Sequence, residues 1–196
     1  MNNKKTKNLA FLSLFIAIEI LMVIIPFFGF IPVGPLRATT LHIPVIIAGI
    51  VLGKEKGGFI GLVFGLSSLI MNTVQPTVTS FVFSPFISGS LMSLLIAIVP
   101  RVLIGYVAGL FYEKMKDKND NLAMIGGSFL GSITNTILVL GGIYFIFGSQ
   151  YASEIGKSFS ELLPYFLGII ATNGFLEAGI GTIIAVMVSR VLKKLY

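Results

Sequence analysis

The chain has no cysteine and no tryptophan, a single histidine, and only 11% charged residues among its 196. Without cysteine there is no disulfide framework, no thiolate metal site and no cysteine nucleophile. One histidine, His42, rules out motifs that need two, such as the HExxH pair of metalloproteases. With thiols also missing, no ligand set for zinc remains, and no metal site is expected. No GxxxxGK[ST] phosphate loop occurs, so the chain does not hydrolyse ATP by itself. No nucleophile, metal cluster or acid–base pair suggests catalysis. The chain is therefore expected not to be an enzyme and to carry no cofactor.

What the sequence does have is apolar surface. Hydrophobic residues make up 55% of it and the mean hydropathy is +0.97, far outside the range of water-soluble domains. At roughly 25 to 30 residues per crossing with its turn, the length allows about six membrane spans. The expected fold is all-α: a polytopic membrane protein with six transmembrane helices, residues 1–196 forming one membrane domain. The net charge of +6 would suggest nucleic acid in a soluble protein. In a lipid-dissolved chain the position of each charge matters more, and no nucleic-acid partner is expected.

The predicted helices are Leu9–Phe28, Leu41–Leu52, Gly57–Met71, Leu91–Tyr112, Leu122–Phe147 and Pro164–Leu192. The first follows Lys4, Lys5 and Lys7, as a secretory signal would, but no small-x-small cleavage pattern comes after it, so it reads as retained. GFIPVGP breaks the chain after it. Lys54, Glu55 and Lys56 read as a polar turn, and SQYASEIGKSFSE as a polar linker between helices five and six. Asn72–Ser90 is too broken for a lipid-facing span and reads as a long ordered loop, partly re-entrant, because irregular backbone at a membrane must be buried in protein or line a cavity.

Eleven of the fourteen lysines and arginines fall in the amino-terminal segment, the two-three turn, the four-five turn and the carboxyl terminus. Cytoplasmic segments retain such an excess, so both termini are expected in the cytoplasm. Arg37 and Lys157 fall on the opposite side. Gly57, Gly61 and Gly65, Gly105 and Gly109, and Gly127 and Gly131 recur every fourth residue, a spacing that lets helix backbones approach in lipid.

An ionisable group within the bilayer costs at least about 2.5 kcal/mol on insertion scales and needs a partner or a purpose. Glu19, Arg101 and Glu177 are such groups. Arg101 either bridges one of the glutamates or meets an anionic group of a ligand. Asn173 and Glu177, four residues apart, share a helix face, and Asn135 sits between Thr134 and Thr136 inside helix five. These groups read as part of a polar cavity or as interhelical hydrogen bonds. His42, with Thr39 and Thr40, stands where the first outer loop enters helix two, and Asn72 and Arg37 fall on outer segments as candidates for an entrance lining, with ordinary exposure the expectation for Arg37.

Three stretches, Thr39–Ile70, TSFVFSPF at Thr79–Phe86 and IVPRVLIGYVAGLFY at Ile98–Tyr112, make the chain resemble the substrate-binding S components of energy-coupling factor (ECF) vitamin importers. That resemblance implies a six-helix bundle capturing a vitamin from outside, with a transmembrane T subunit and two ATPase subunits as partners in the lipid bilayer. It implies a small-xxx-small contact with the T subunit on helix one, here Ser13 and Ala17, where serine replaces the first alanine of the family's AxxxA pattern. TTLHIPVII and VPRVLIG look most like the pantothenate-type branch. A carboxylate-bearing vitamin of that type would suit Arg101, with Asn135, Asn173, Glu177, Thr40, His42 and Asn72 as further substrate-binding candidates. The alternatives are an S component for folate, a pyridoxine-type vitamin or riboflavin, or a self-contained secondary transporter with Glu19 or Glu177 as its proton site. A membrane enzyme or structural assembly protein is the third class, and the sequence offers an enzyme no catalytic group.

Overall fold

The computed structural model describes residues 2–25, 29–33 and 36–196. Helix α1 spans Asn2–Ile24. A two-stranded antiparallel hairpin follows, β1 (Phe30–Val33) against β2 (Leu36–Thr39), with Phe30 opposite Thr39 and Pro32 opposite Arg37. Then come α2 (His42–Leu52), α3 (Lys54–Val74), a 3₁₀ turn at Ser80–Val82 and a single turn α4 (Pro85–Ser88). Helix α5 spans Met92–Met115 and α6 Asp120–Glu154. The last helical rod is α7 (Phe159–Ile169), a π-helical stretch at Ile170–Gly174, and α8 (Phe175–Leu195).

Five helical rods are long and apolar enough to cross a membrane, and α2 is apolar but only 11 residues long. At 1.5 Å per residue α2 reaches about 16 Å, half of the ~30 Å hydrocarbon layer. It ends where Gly53 adopts φ of 99°, and ten of its residues are buried. A helix buried all round needs no amphipathic stripe, which is why HIPVIIAGIVL is apolar at almost every position.

Several boundaries differ from the sequence expectations, each for a local reason. Lys54, Glu55 and Lys56 form the first turn of α3 instead of a polar turn, because Gly53 alone reverses the chain. Helix α6 continues through Ser149–Glu154, where Tyr151 and Ala152 are buried and the Tyr151 ring meets Phe166 edge-on. The five-six linker is thereby reduced to residues 155–158, with Gly156 at φ of 69°. Ser158 then starts α7 as a capping box with Glu161, whose Oε2 accepts from the Ser158 backbone N–H at 2.8 Å and its hydroxyl at 2.7 Å. The loop between the first two helices holds the hairpin, which its glycines and prolines did not suggest. The side chain of Arg37, and the end of helix one placed at residues 26–28, lie outside the described residues.

Helices α2, α3 and α5 pack backbone to backbone. A Cβ added at Gly49 would lie 2.3 Å from the Gly105 carbonyl oxygen, one at Gly105 2.2 Å from that of Gly57, and one at Gly61 2.1 Å from that of Arg101. Only glycine fits such contacts, and in lipid this close van der Waals packing takes over the role that solvent exclusion plays in water. The glycine periodicity read from the sequence is thus the seam of the bundle.

The termini lie at one end. The Tyr196 hydroxyl donates to Asn8, its ring packs on Phe11, and it accepts from Lys56 Nζ at 3.4 Å. The same end holds the ion pair of Lys54 with Glu113 at 3.1 Å and that of Lys193 with Asp120. The hairpin, the residue 75–91 segment and the α6–α7 turn occupy the other end.

The seam yields a direct expectation. Gly105→Leu should abolish recovery of monodisperse protein from membranes, whereas Gly141→Leu, at a position with nothing within 4 Å of an added Cβ, should be tolerated. Size-exclusion profiles of the two variants in detergent check this, and equal profiles would contradict the close-packed seam.

Candidate functional site

A cavity of about 160 Å³ opens between α3, α5, α6 and the α7–α8 rod, toward the end opposite the termini. Arg101 forms its inner wall and is 5% exposed. Its position follows from the seam, because the Arg101 carbonyl is the atom on which Gly61 rests. The side chain runs back along α5, and its Nη1 donates to the Ile96 carbonyl at 2.7 Å. The guanidinium lies over two aromatic faces, with Cζ 5.4 Å from the Phe64 centroid and 4.9 Å from that of Phe83. Cation–π contacts of this kind stabilise a desolvated cation by up to about 2 kcal/mol, less than a full counter-ion would.

Among the described residues Arg101 has no carboxylate within ion-pair distance, and its Nε is buried without a hydrogen-bond partner. The structural bridge to Glu19 or Glu177 is therefore not made. Glu19 is fully buried on α1 and both its carboxylate oxygens lack partners among the described residues. Glu177 instead lines the cavity.

Asn135 enters from α6 and Asn173 and Glu177 from the α7–α8 rod, all three into this cavity. Asn135 Oδ1 is buried with no partner among the described residues. On the rod, Tyr165, Ile169, Asn173 and Glu177 line the cavity at four-residue intervals. An α-helix turns 100° per residue, so residues four apart drift by about 40° per step and would leave the face. The wider i→i+5 turn at Ile170–Gly174 takes up part of that drift, and Asn173 and Glu177 stay on the cavity side.

Asn72 also lines the cavity, but its amide is already engaged. Its Nδ2 donates to the Ser68 carbonyl at 2.8 Å, and its Oδ1 accepts from the Ser80 hydroxyl at 2.8 Å. Ser80 Oγ in turn accepts from the Thr77 N–H at 2.8 Å, and the Ser93 hydroxyl donates to the Phe81 carbonyl at 2.9 Å. Hydroxyl and amide side chains thereby satisfy the irregular backbone of the residue 75–91 segment, as burial demands. That segment presents Thr77, Thr79 and Phe83 to the cavity.

Five of the seven substrate-binding candidates, Arg101, Asn135, Asn173, Glu177 and Asn72, thus meet around one space. Thr40 and His42 stand outside its lining. Thr40 N–H donates to the Gly29 carbonyl at 3.1 Å, and its carbonyl accepts from Ile43 N–H at 3.0 Å, so its backbone joins the hairpin to α2. His42 is buried against α8. The lining residues missed from the sequence include Thr39, Phe83 and Tyr165. Thr39 differs from the named Thr40 by one residue of register, and only a broken loop containing three phenylalanines pointed to Phe83.

Residues 7–189 match the family model described as "ECF transporter, substrate-specific component". The chain is 38% identical to a pantothenic acid transporter, PanT, of Lactococcus lactis subsp. cremoris, over 99% of this chain and 97% of that protein. It is 31% identical to a pantothenate transporter, PanT, of Leuconostoc mesenteroides subsp. mesenteroides, over 98% and 95% respectively. A match running through both the glycine seam and every helix that walls the cavity means that the chain belongs to the substrate-specific components of ECF transporters.

Proposed function

We propose that this multi-pass bacterial membrane protein captures pantothenate from outside the cell and delivers it through an ATP-driven ECF importer, without chemically changing it. The observation that carries the ligand is the pairing, in one cavity, of a buried guanidinium that has no described counter-ion with a buried amide oxygen that has no described donor. Buried polar groups left unmatched are costly, so a ligand that supplies both complements stabilises the occupied state. A carboxylate answers Arg101, and hydroxyl or amide hydrogens answer Asn135 and Glu177. Pantothenate carries all of these, and both relatives are named for it.

Residues 1–196 act in this reading as one transmembrane substrate-binding domain with both termini in the cytoplasm. The grouping of Lys54, Lys56, Lys193 and Tyr196 at one end supports that orientation, and it turns the cavity outward. Family membership supports a T subunit and two ATPases as partners. Ser13 and Ala17 are exposed on α1, and small side chains four residues apart at that point support close approach of a T-subunit helix.

Two outcomes are expected. Mass spectrometry of detergent-extracted protein should find pantothenate copurifying, and Arg101→Met, which keeps the apolar stem, should weaken its binding by about 2 kcal/mol or more, a factor of roughly 30. Unchanged affinity measured by titration calorimetry would remove Arg101 from the site. For orientation, the cysteine-free background allows the single variants Lys5→Cys and Lys194→Cys; both should react with a membrane-impermeant maleimide only after the cells are opened. Labelling of either one in intact cells would overturn the cytoplasmic assignment.

A further inference from the structure

We propose that Thr39 is a hydrogen-bond donor to the ligand and that His42, which does not reach the cavity, is its positioning residue. This rests on the pantothenate reading above and extends it to the wall formed by the first outer loop.

Thr39 closes strand β2 opposite Phe30 and lines the cavity. Its Oγ1 accepts from the Leu41 N–H at 3.1 Å. An oxygen occupied as an acceptor in this way keeps its own O–H for donation. The hydroxyl is thus oriented by the backbone two residues on, and a ligand carboxylate, carbonyl or hydroxyl oxygen is the chemistry it can meet.

What holds Thr39 there is a side chain three residues along. His42 Nδ1 lies 2.7 Å from the Thr39 carbonyl oxygen. A carbonyl only accepts, so Nδ1 carries the hydrogen and donates it, and in the neutral ring Nε2 is left with its lone pair. That Nε2 has no partner among the described residues and faces α8 at Gly181, where an added Cβ would lie 2.9 Å from it. His42 is 4% exposed. It is wedged between the end of the hairpin and α8, at a point one helical turn beyond the cavity residue Glu177. The ring therefore fixes the loop wall, with Thr39, against α8. Gly181 is what makes room for it.

Three measurements test this. In ligand-free protein carrying ¹⁵N-labelled histidine, the single imidazole should show the Nδ1–H tautomer; an Nε2–H tautomer would overturn the assignment without reference to any ligand. In pantothenate titrations, Thr39→Val should weaken binding about tenfold and Thr39→Ser much less. His42→Phe should weaken it similarly, while His42→Asn, whose Nδ2 can reproduce the Nδ1 donation, should retain most affinity. The double variant Thr39→Val with His42→Phe should be no worse than either alone, since His42 acts through Thr39. Full additivity, or wild-type affinity in His42→Phe, would overturn the proposal. Gly181→Ala provides a second route that leaves the imidazole in place. It should weaken binding in the native background and add nothing in the His42→Ala background, and a loss that persists there would count against the wedge. Absence of pantothenate binding by the native chain would instead sink the ligand reading, leaving the tautomer result to judge the positioning of Thr39.

Discussion

The contact on which the rest depends is the glycine seam between α2, α3 and α5. Inside a bilayer, apolar side chains gain nothing by leaving lipid for protein, so helices associate through shape. Gly49, Gly57, Gly61 and Gly105 let three backbones touch, and the carbonyl of Arg101 is itself one of the touching atoms. The seam therefore does two jobs with one set of contacts. It holds the bundle together and it places a cation at a defined depth.

That cation is stabilised in an unfinished way. Two phenylalanine faces and one backbone carbonyl are enough to keep a guanidinium buried, and too little to match a carboxylate. Had Glu19 or Glu177 closed an ion pair with it, an incoming anion would have had to break that pair first. The placement of Glu177 across the cavity, and of Glu19 on α1 outside its lining, leaves Arg101 open to a ligand while both acids stay within the protein. The Asn72–Ser80 network plays the supporting part: it commits its polar groups to the loop backbone so that Phe83 is held over the guanidinium.

Much of this was legible in the sequence because lipid allows few solutions. Long apolar runs and four-residue glycine spacing translate directly into helices and packing, and a polar residue inside such a run tends to face the interior. That logic brought Arg101, Asn135, Asn173, Glu177 and Asn72 to one cavity. It fails where the signal is shorter than the element. Four-residue strands separated in sequence by Gly34 and Pro35 carry too little alternation to be recognised, and a single π turn has no composition of its own. The polar run Ser149–Glu154 is as good a helix former as a linker, and only the burial of Tyr151 decides between them. For Thr39 and Thr40, adjacent and chemically identical, the choice depends on the hairpin register.

The unequal reach of the helices also bears on the surrounding lipid. Helix α2 covers about 16 Å, whereas the 35 residues of α6 extend about 52 Å at 1.5 Å per residue. Because α2 is buried among its neighbours, lipid meets only the longer rods, and α6 outreaches a hydrocarbon layer of ~30 Å, so it slants or projects beyond that layer, at a fraction of a kcal/mol per ångström of mismatch. The molecule thus wears its mismatch asymmetrically, along the α6–α7 side, and any change in its inclination alters that cost, which makes the bilayer a participant in whatever movement the protein undergoes.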